Sequence, residues 1–282
     1  MARIIALANQ KGGVGKTTST LAIGAALADR GYRVLLVDLD PQASLTSAAG
    51  VELTDDDATV YTAINAYISA GEIDAALSDT LVQNVTRALD LMPAHIDLAA
   101  AEMELLGAVR REYVLAEVLA SLQDAYDVVL IDCPPSLSLL TLNALTAADA
   151  VLIPVVPDYL AARGLGLLLT TIERVRKSKL NPRLVVAGVI LTMVDYRTAH
   201  NREVAQSVRA NLGDRIPLLG DVKRSTKTAE AAAVGLSVTA YAPRGDAALA
   251  YGEIADALLA AWGRPSSQGA DAAQTAAGGA RD

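Results

Sequence analysis

Ten residues near the start of the chain constrain it most. Asn9-Gln10-Lys11-Gly12-Gly13-Val14-Gly15-Lys16-Thr17-Thr18 lies between a short apolar run, Ile4–Ala8, and a segment with helical patterning, Lys16–Arg30. A strand that hands its chain to a helix through a glycine-rich loop makes a phosphate cradle. Glycines let backbone N–H groups converge on an anion without a Cβ in the way, and the helix N-terminus adds a favourable dipole. In such a loop the lysine that opens the helix, Lys16, reaches the β- and γ-phosphates, and the Thr17 hydroxyl is a ligand for Mg²⁺. The usual pattern places a glycine six residues before that lysine. Gln10 stands there instead, and Lys11 is an additional lysine.

The rest of the chain alternates β-rich runs with longer helical patterns. Strands are predicted at Ile4–Ala8, Val34–Asp38, Asp90–Met92, Val128–Asp132, Val151–Val155 and Leu184–Leu191. Several are continuous Val/Ile/Leu runs, as expected of strands covered on both faces. Helices are predicted at Lys16–Arg30, Ala99–Leu106, Val114–Leu122, Leu139–Ala147, Leu165–Lys177, Arg202–Asn211 and Ala247–Trp262. The alternation predicts an α/β fold: a doubly wound, mostly parallel sheet with helices on both faces. Residues 1–262 are expected to form one domain. The Gly-, Ser-, Gln- and Ala-rich stretch 263–282 lacks apolar periodicity and is expected to be disordered.

Composition excludes several classes. Hydrophobic residues make up 52% and charged residues 20% of the 282, so the whole chain is not disordered. The most apolar segment, Leu184–Val194, is far short of the roughly 20 residues that cross a bilayer. The N-terminal apolar run is too short for an export signal, so the cytoplasm is the expected location. One cysteine, Cys133, excludes an internal disulfide and any cysteine-ligated cluster within one chain.

At these residues the sequence resembles the ParA/MinD family of deviant-Walker ATPases, of the P-loop NTPase type. Lys-Gly-Gly-Val-Gly-Lys-Thr-Thr is similar to the family's phosphate loop. Val34–Gln42 resembles its second acidic motif, Val128–Ser136 its Walker B, and Tyr241–Gly245 with Ala250-Tyr251 its C-terminal block. The blocks occur in order and favour the ParA branch, which partitions chromosomes and plasmids. The resemblance implies an Mg-dependent ATPase that forms an ATP-sandwich homodimer. It implies nucleotide contacts from Lys11, Gly12, Gly13, Val14, Gly15, Lys16, Thr17 and Thr18, with Lys11 crossing to the partner's phosphates much as an arginine finger does.

Asp38 and Asp40 lie two apart and would share one face of a strand at the carboxyl edge of the sheet. By resemblance, Asp40 acts on the attacking water, joining Lys11 and Lys16 as catalytic residues, and Asp38 supports the Mg²⁺ water shell. Asp132 ends an apolar strand, where a carboxylate holds Mg²⁺, usually through water. Matching Glu230, Gly235 and Val238 to the family's C-terminal loop places Lys223 and Ser225 near the base.

Charge is segregated. Between Arg174 and Lys227 stand 12 Lys/Arg against 4 Asp/Glu, +8 in 54 residues, while the whole chain carries −8. This predicts a basic surface for nonspecific double-stranded DNA, with Arg197, Arg224 and Lys227 as contacts matched to the family. The phosphate loop begins at residue 9, so no operator-reading segment is expected ahead of it. DNA binding is therefore expected to ignore sequence and to give a nucleoid-associated location. The family also implies a ParB-like or adaptor partner that stimulates hydrolysis.

Three other readings share the fold. A nitrogenase iron protein-like reductase needs two cysteines per subunit for its cluster. A MinD-like membrane ATPase needs a C-terminal amphipathic helix, yet no Leu, Ile, Phe or Trp follows Trp262, so no membrane partner is expected. A dethiobiotin synthetase-like enzyme has no need of Lys11.

Overall fold

The computed structural model describes residues 1–262 apart from 55, 123, 159–160, 198 and 213–215. The 263–282 segment, expected to be a disordered tail, lies outside the described residues. Eight strands form one sheet: β1 (Arg3–Leu7), β2 (Val34–Asp38), β3 (Gln83–Thr86), β4 (Leu89–Met92), β5 (Val128–Asp132), β6 (Ala150–Val155), β7 (Val185–Val194) and β8 (Leu218–Lys223). Their spatial order is β3-β4-β2-β5-β1-β6-β7-β8. Every neighbouring pair is parallel except β3–β4, an antiparallel pair at one edge. The predicted α/β class and doubly wound arrangement therefore hold.

Twelve helices are described. They are α1 (Lys16–Ala28), α2 (Ser44–Ala48), α3 (Val60–Ala70), α4 (Ala75–Thr80), α5 (Leu98–Gly107), α6 (Val114–Ala120), α7 (Leu139–Ala147), α8 (Ala161–Lys177), α9 (Ala199–Leu212), α10 (Thr226–Ala233), α11 (Val238–Tyr241) and α12 (Asp246–Trp262). Period-2 geometry explains why the central strands are apolar throughout. Ile4 and Ala6 of β1, with Leu35 and Val37 of β2, face a core built with α3 and α5–α9. Ile5, Leu7, Val34 and Leu36 face the opposite core, built with α1, α2 and α10–α12.

The sequence missed two strands. β3, Gln-Asn-Val-Thr, is a polar edge with only half its residues turned inward. β8 contains Gly220 and Asp221 and lacks an apolar run. It also missed α3, whose Val, Tyr, Thr and Ile residues are weak helix formers. Its ends hold it instead: Thr59 and Thr62 form a reciprocal capping box, and Gly71 ends it at φ 80°.

One contact fixes the packing of α2 against α10. Gly50 follows α2 and Gly235 follows α10, with φ of 75° and 70°. A Cβ on Gly235 would lie 2.6 Å from the Gly50 Cα. Backbone meets backbone there, and both residues occupy the left-handed region that side chains avoid. Gly235→Ala is expected to destabilise the protein by about 1–3 kcal/mol, read as a lower midpoint in thermal unfolding. An unchanged midpoint would show that the crossing can spread at no cost.

Candidate nucleotide site at the carboxyl edge

Strands β1, β2 and β5 end side by side, with Leu7 and Asp38 both in register with Asp132. The loops that follow them converge at the carboxyl edge, where open α/β sheets form their sites. The loop after β1 is tied down at both ends. Asn9 is buried; its side-chain amide donates to the Pro154 carbonyl at 2.7 Å, and its Oδ1 accepts the Lys11 N–H at 3.0 Å. At the far end, the Thr192 hydroxyl of β7 donates to the Val14 carbonyl at 2.7 Å. Gly13 and Gly15 take φ of 69° and 80°, so successive N–H groups turn toward one concavity at the start of α1. A Cβ on Gly12 would meet only Pro135, at 3.8 Å, within its own chain.

Lys16 opens α1 and is buried. The Thr17 hydroxyl donates to Asp132 Oδ2 at 2.6 Å. Asp132 is almost wholly enclosed, and its Oδ1 has no hydrogen-bond partner among the described residues. Burial pushes its carboxyl up to about 8, reinforced by the neighbouring Asp38, while the Thr17 bond and Lys16 oppose the shift. Mg²⁺ takes oxygen ligands and keeps several of its waters. The Thr17 hydroxyl and the orphaned carboxylate oxygen fit such a cation, whose charge would favour the ionised acid. Thr18 borders the same loop, and Ser19 hydrogen-bonds the buried Tyr251 hydroxyl at 3.1 Å, which joins the C-terminal block to α1.

The second acidic motif corrects the expected geometry. β2 ends at Asp38, so Asp40 lies beyond the strand and the two do not share a strand face. Asp38 is fully buried. Its Oδ1 accepts the Asp40 N–H at 3.2 Å, and its Oδ2 accepts the Thr46 N–H at 2.9 Å and the Thr46 hydroxyl at 2.8 Å. A carboxylate offers about four lone-pair sites, so these donors leave little for metal-bound water. Asp38 anchors the loop in this structure, and the bonds it accepts leave about one of its lone-pair sites for the Mg²⁺ water shell expected of it. Burial raises its carboxyl to about 6, and the Thr46 and Asp40 donors oppose that rise. Asp40 itself is half-exposed and accepts the Gln42 N–H at 3.0 Å.

Lys11 is paired with Asp158 of its own chain, after β6. Crossing to another subunit would require releasing that carboxylate. Lys223 and Ser225 flank a 270 Å³ cleft shared with Gly15, Thr18, Thr192 and Met193, so the structure brings them beside the phosphate loop. There Lys223 pairs with Asp246 at 2.8 Å, and Ser225 caps α10 by accepting the Lys227 N–H at 3.2 Å.

The basic window is not one surface. Arg174, Arg176 and Lys177 lie in the last turn of α8, with Lys179 and Arg183 just after it, before the amino end of β7. Arg197, Arg224 and Lys227 follow the carboxyl ends of β7 and β8. The ten residues of β7 separate the two groups by about 30 Å at ~3.3 Å per residue. At the carboxyl edge Arg197 grips Asp195 through two nitrogens, at 2.8 and 2.6 Å, and holds that carboxyl well below its usual range. Lys227 pairs with Glu230 at 2.7 Å.

Sequence reasoning missed Asn9, Thr46, Asp158, Thr192 and Met193. Met193 lies four residues before Arg197, at the end of β7. The others become visible only once the strands are placed side by side.

A parallel sheet with a glycine-rich loop at its switch point, a buried lysine and a hydroxyl-bound acid defines a P-loop nucleotide-binding protein. The sequence profile of the family described as AAA domain matches residues 2–186. The chain is 42% identical to the sporulation initiation inhibitor protein Soj of Bacillus subtilis, over 92% of this chain and 99% of that one. It is 44% identical to the chromosome partitioning protein ParA of Caulobacter vibrioides, over 85% and 87%. Its fold matches the crystal structure of cobyrinic acid a,c-diamide synthase from Mycobacterium smegmatis with bound ADP and magnesium, at TM-score 0.77 and 40% identity over 93% and 96%. The same protein is also known with a bound ATP analog and magnesium. The chain belongs to the ParA/MinD family of ATPases, and its cofactors are ATP and Mg²⁺. No helix among the described residues is long and apolar enough to cross a membrane.

Lys16→Ala is expected to weaken ATP binding by about 10- to 100-fold, the loss of one or two charge-assisted hydrogen bonds to phosphate. Equilibrium titration with a fluorescent ATP analogue measures this. Unchanged affinity would remove Lys16 from the site.

Proposed function

We propose that this protein is a ParA-type partition ATPase whose residues 1–262 form one ATPase domain. It pairs with a second copy around ATP, binds duplex DNA without regard to sequence, and uses hydrolysis to position a chromosome, a plasmid or a protein assembly. The observation that carries the reading is Lys11. It lies on the phosphate loop, yet its ammonium is turned to Asp158, in the loop after β6. A lysine spare to its own cradle is the group a face-to-face dimer uses to neutralise the partner's phosphates at the transition state.

In this reading the loop from Gly12 to Thr18 cradles the phosphates, with Lys16 on the β- and γ-oxygens. Thr17 and Asp132 hold Mg²⁺, which neutralises charge on the transferring phosphoryl group. Asp40 orients the attacking water. Lys223 and Ser225 border the base. Arg197, Arg224 and Lys227 lie on the same sheet edge as the phosphate loop, so pairing of two subunits aligns two such groups and multiplies their effect. Arg197 and Lys227 exchange their carboxylate partners for phosphates. A ParB-like or adaptor protein accelerates hydrolysis, and the location is cytoplasmic on the nucleoid.

Asp40→Ala is expected to bind ATP and dimerise but to hydrolyse at least about 100-fold more slowly. Gly12→Val is expected to fold, because its own chain leaves room for a side chain, and to remain monomeric with ATP. Sedimentation with and without ATP, beside phosphate release, tests both; a Gly12→Val dimer would count against the face-to-face geometry. DNA affinity is expected to require ATP and to fall with salt by about 0.9 in log affinity per phosphate contact. Arg197→Glu or Arg224→Glu is expected to weaken binding to all sequences alike. A stable ATP dimer with no DNA affinity at low salt would overturn the DNA step.

The cobyrinic acid a,c-diamide synthase neighbour supports a second reading, an ATP-dependent small-molecule enzyme. A 300 Å³ hollow beside the loop, lined by Asn9, Gln10, Lys11, Val155, Arg163 and Leu167, is the place such a substrate would occupy. ATP turnover stimulated by cobyrinic acid rather than by DNA and a partner protein would favour it.

A further inference from the structure

Thr46 is buried beneath the Asp40 loop, at the wall of an open hollow that it shares with Ala43, Ser47 and Gly50. Its hydroxyl has two neighbours with fixed roles. The Ala94 N–H, just after β4, can only donate, and it does so to the Thr46 oxygen at 3.0 Å. The hydroxyl proton therefore goes to Asp38, at 2.8 Å. The Thr46 N–H gives the same carboxylate a second bond, at 2.9 Å. Asp38 in turn accepts the Asp40 N–H. Residues 38–46 are thus a closed loop whose two ends are bonded to each other and whose exit is bonded to the β4–α5 connection.

The loop needs such a closure. Ala43, at the N-terminus of α2, takes φ 51°, a left-handed conformation that costs a residue with a Cβ of order 1 kcal/mol or more. Strain of this kind persists only where the surroundings over-determine it. Apart from its chain neighbours, the one side-chain oxygen that meets the Asp40 backbone N–H is the Asp38 carboxylate, and Thr46 orients that carboxylate.

We propose that Thr46 is a positioning residue for ATP hydrolysis: its hydroxyl, between the Ala94 amide and the Asp38 carboxylate, holds the loop that aims Asp40. The proposal rests on the assignment of Asp40 to the attacking water. The hydrogen bonds of the Thr46 hydroxyl go to Asp38 and Ala94 and to no phosphate-loop residue, so its effect falls on the chemical step more than on ground-state binding. A misplacement of about 1 Å at a reacting group is enough to cost up to 100-fold in rate.

The test compares Thr46→Val, Thr46→Ser and Asp40→Ala in the full chain. Valine keeps the shape and β-branching but has no hydroxyl, while serine keeps the hydroxyl and loses the methyl. Thr46→Val is expected to lower kcat by about tenfold or more, with KM and the affinity for ATP within about twofold of wild type. Thr46→Ser is expected to restore kcat. Thr46→Ala replaces the valine variant if that one does not fold. Equal losses in the valine and serine variants would show that the methyl matters and the hydroxyl does not, which overturns the proposal. Full activity in Thr46→Val, with Asp40→Ala inactive, also overturns it. Full activity in Asp40→Ala instead removes the assignment beneath it, and the proposal falls with that.

Discussion

Two buried carboxylates, Asp38 and Asp132, end adjacent strands in register with each other. Burying two like charges in one place is costly: burial raises both carboxyls, and Asp38 raises Asp132 further. The surrounding structure supplies what offsets that cost. Thr17 and Lys16 face Asp132 from the phosphate loop, and Thr46 with the Asp40 amide satisfies Asp38. The remaining Asp132 oxygen has no hydrogen-bond partner among the described residues. The positions of α1 and α2, and the path of the loop that carries Asp40, all follow from where those donors must stand.

The same arrangement links recognition to chemistry. The strand that ends in Asp132 lies next to the one that feeds the phosphate loop, and Thr17 bridges them. A nucleotide that draws Mg²⁺ onto Thr17 and Asp132 changes the charge felt by Asp38 one strand away. Asp38 is bonded to the loop that carries Asp40. The phosphate loop, Asp132 and the loop that carries Asp40 thus meet at neighbouring strand ends.

Much of this was legible in the sequence. The phosphate loop, Walker B and the β1, β2 and β5 strands could be placed because glycine spacing and continuous apolar runs are local signals. The role of Asp38 was not legible, since its partner Thr46 is fixed by the return of α2 and not by spacing on a strand. The basic window misled for a related reason. Charges close in sequence were read as one surface, whereas an antiparallel helix and a ten-residue strand carry them to opposite edges of the sheet. Edge strands β3 and β8 escaped notice because neither carries a continuous apolar run, and α3 because its capping, not its propensity, holds it.

The glycine contact between α2 and α10 has a consequence for how such a chain can change over time. Helix α2 continues the loop that carries Asp40, and α10 forms a wall of the cleft beside Lys223 and Ser225. At Gly50 and Gly235 main chain approaches main chain, so a side chain added at either glycine cannot adjust the spacing by degrees. Either both glycines stay and the two elements keep one fixed separation, or one is lost and the crossing must be rebuilt. The wall of the cleft beside Lys223 and Ser225 and the loop that carries Asp40 are therefore held at one separation by a single main-chain contact.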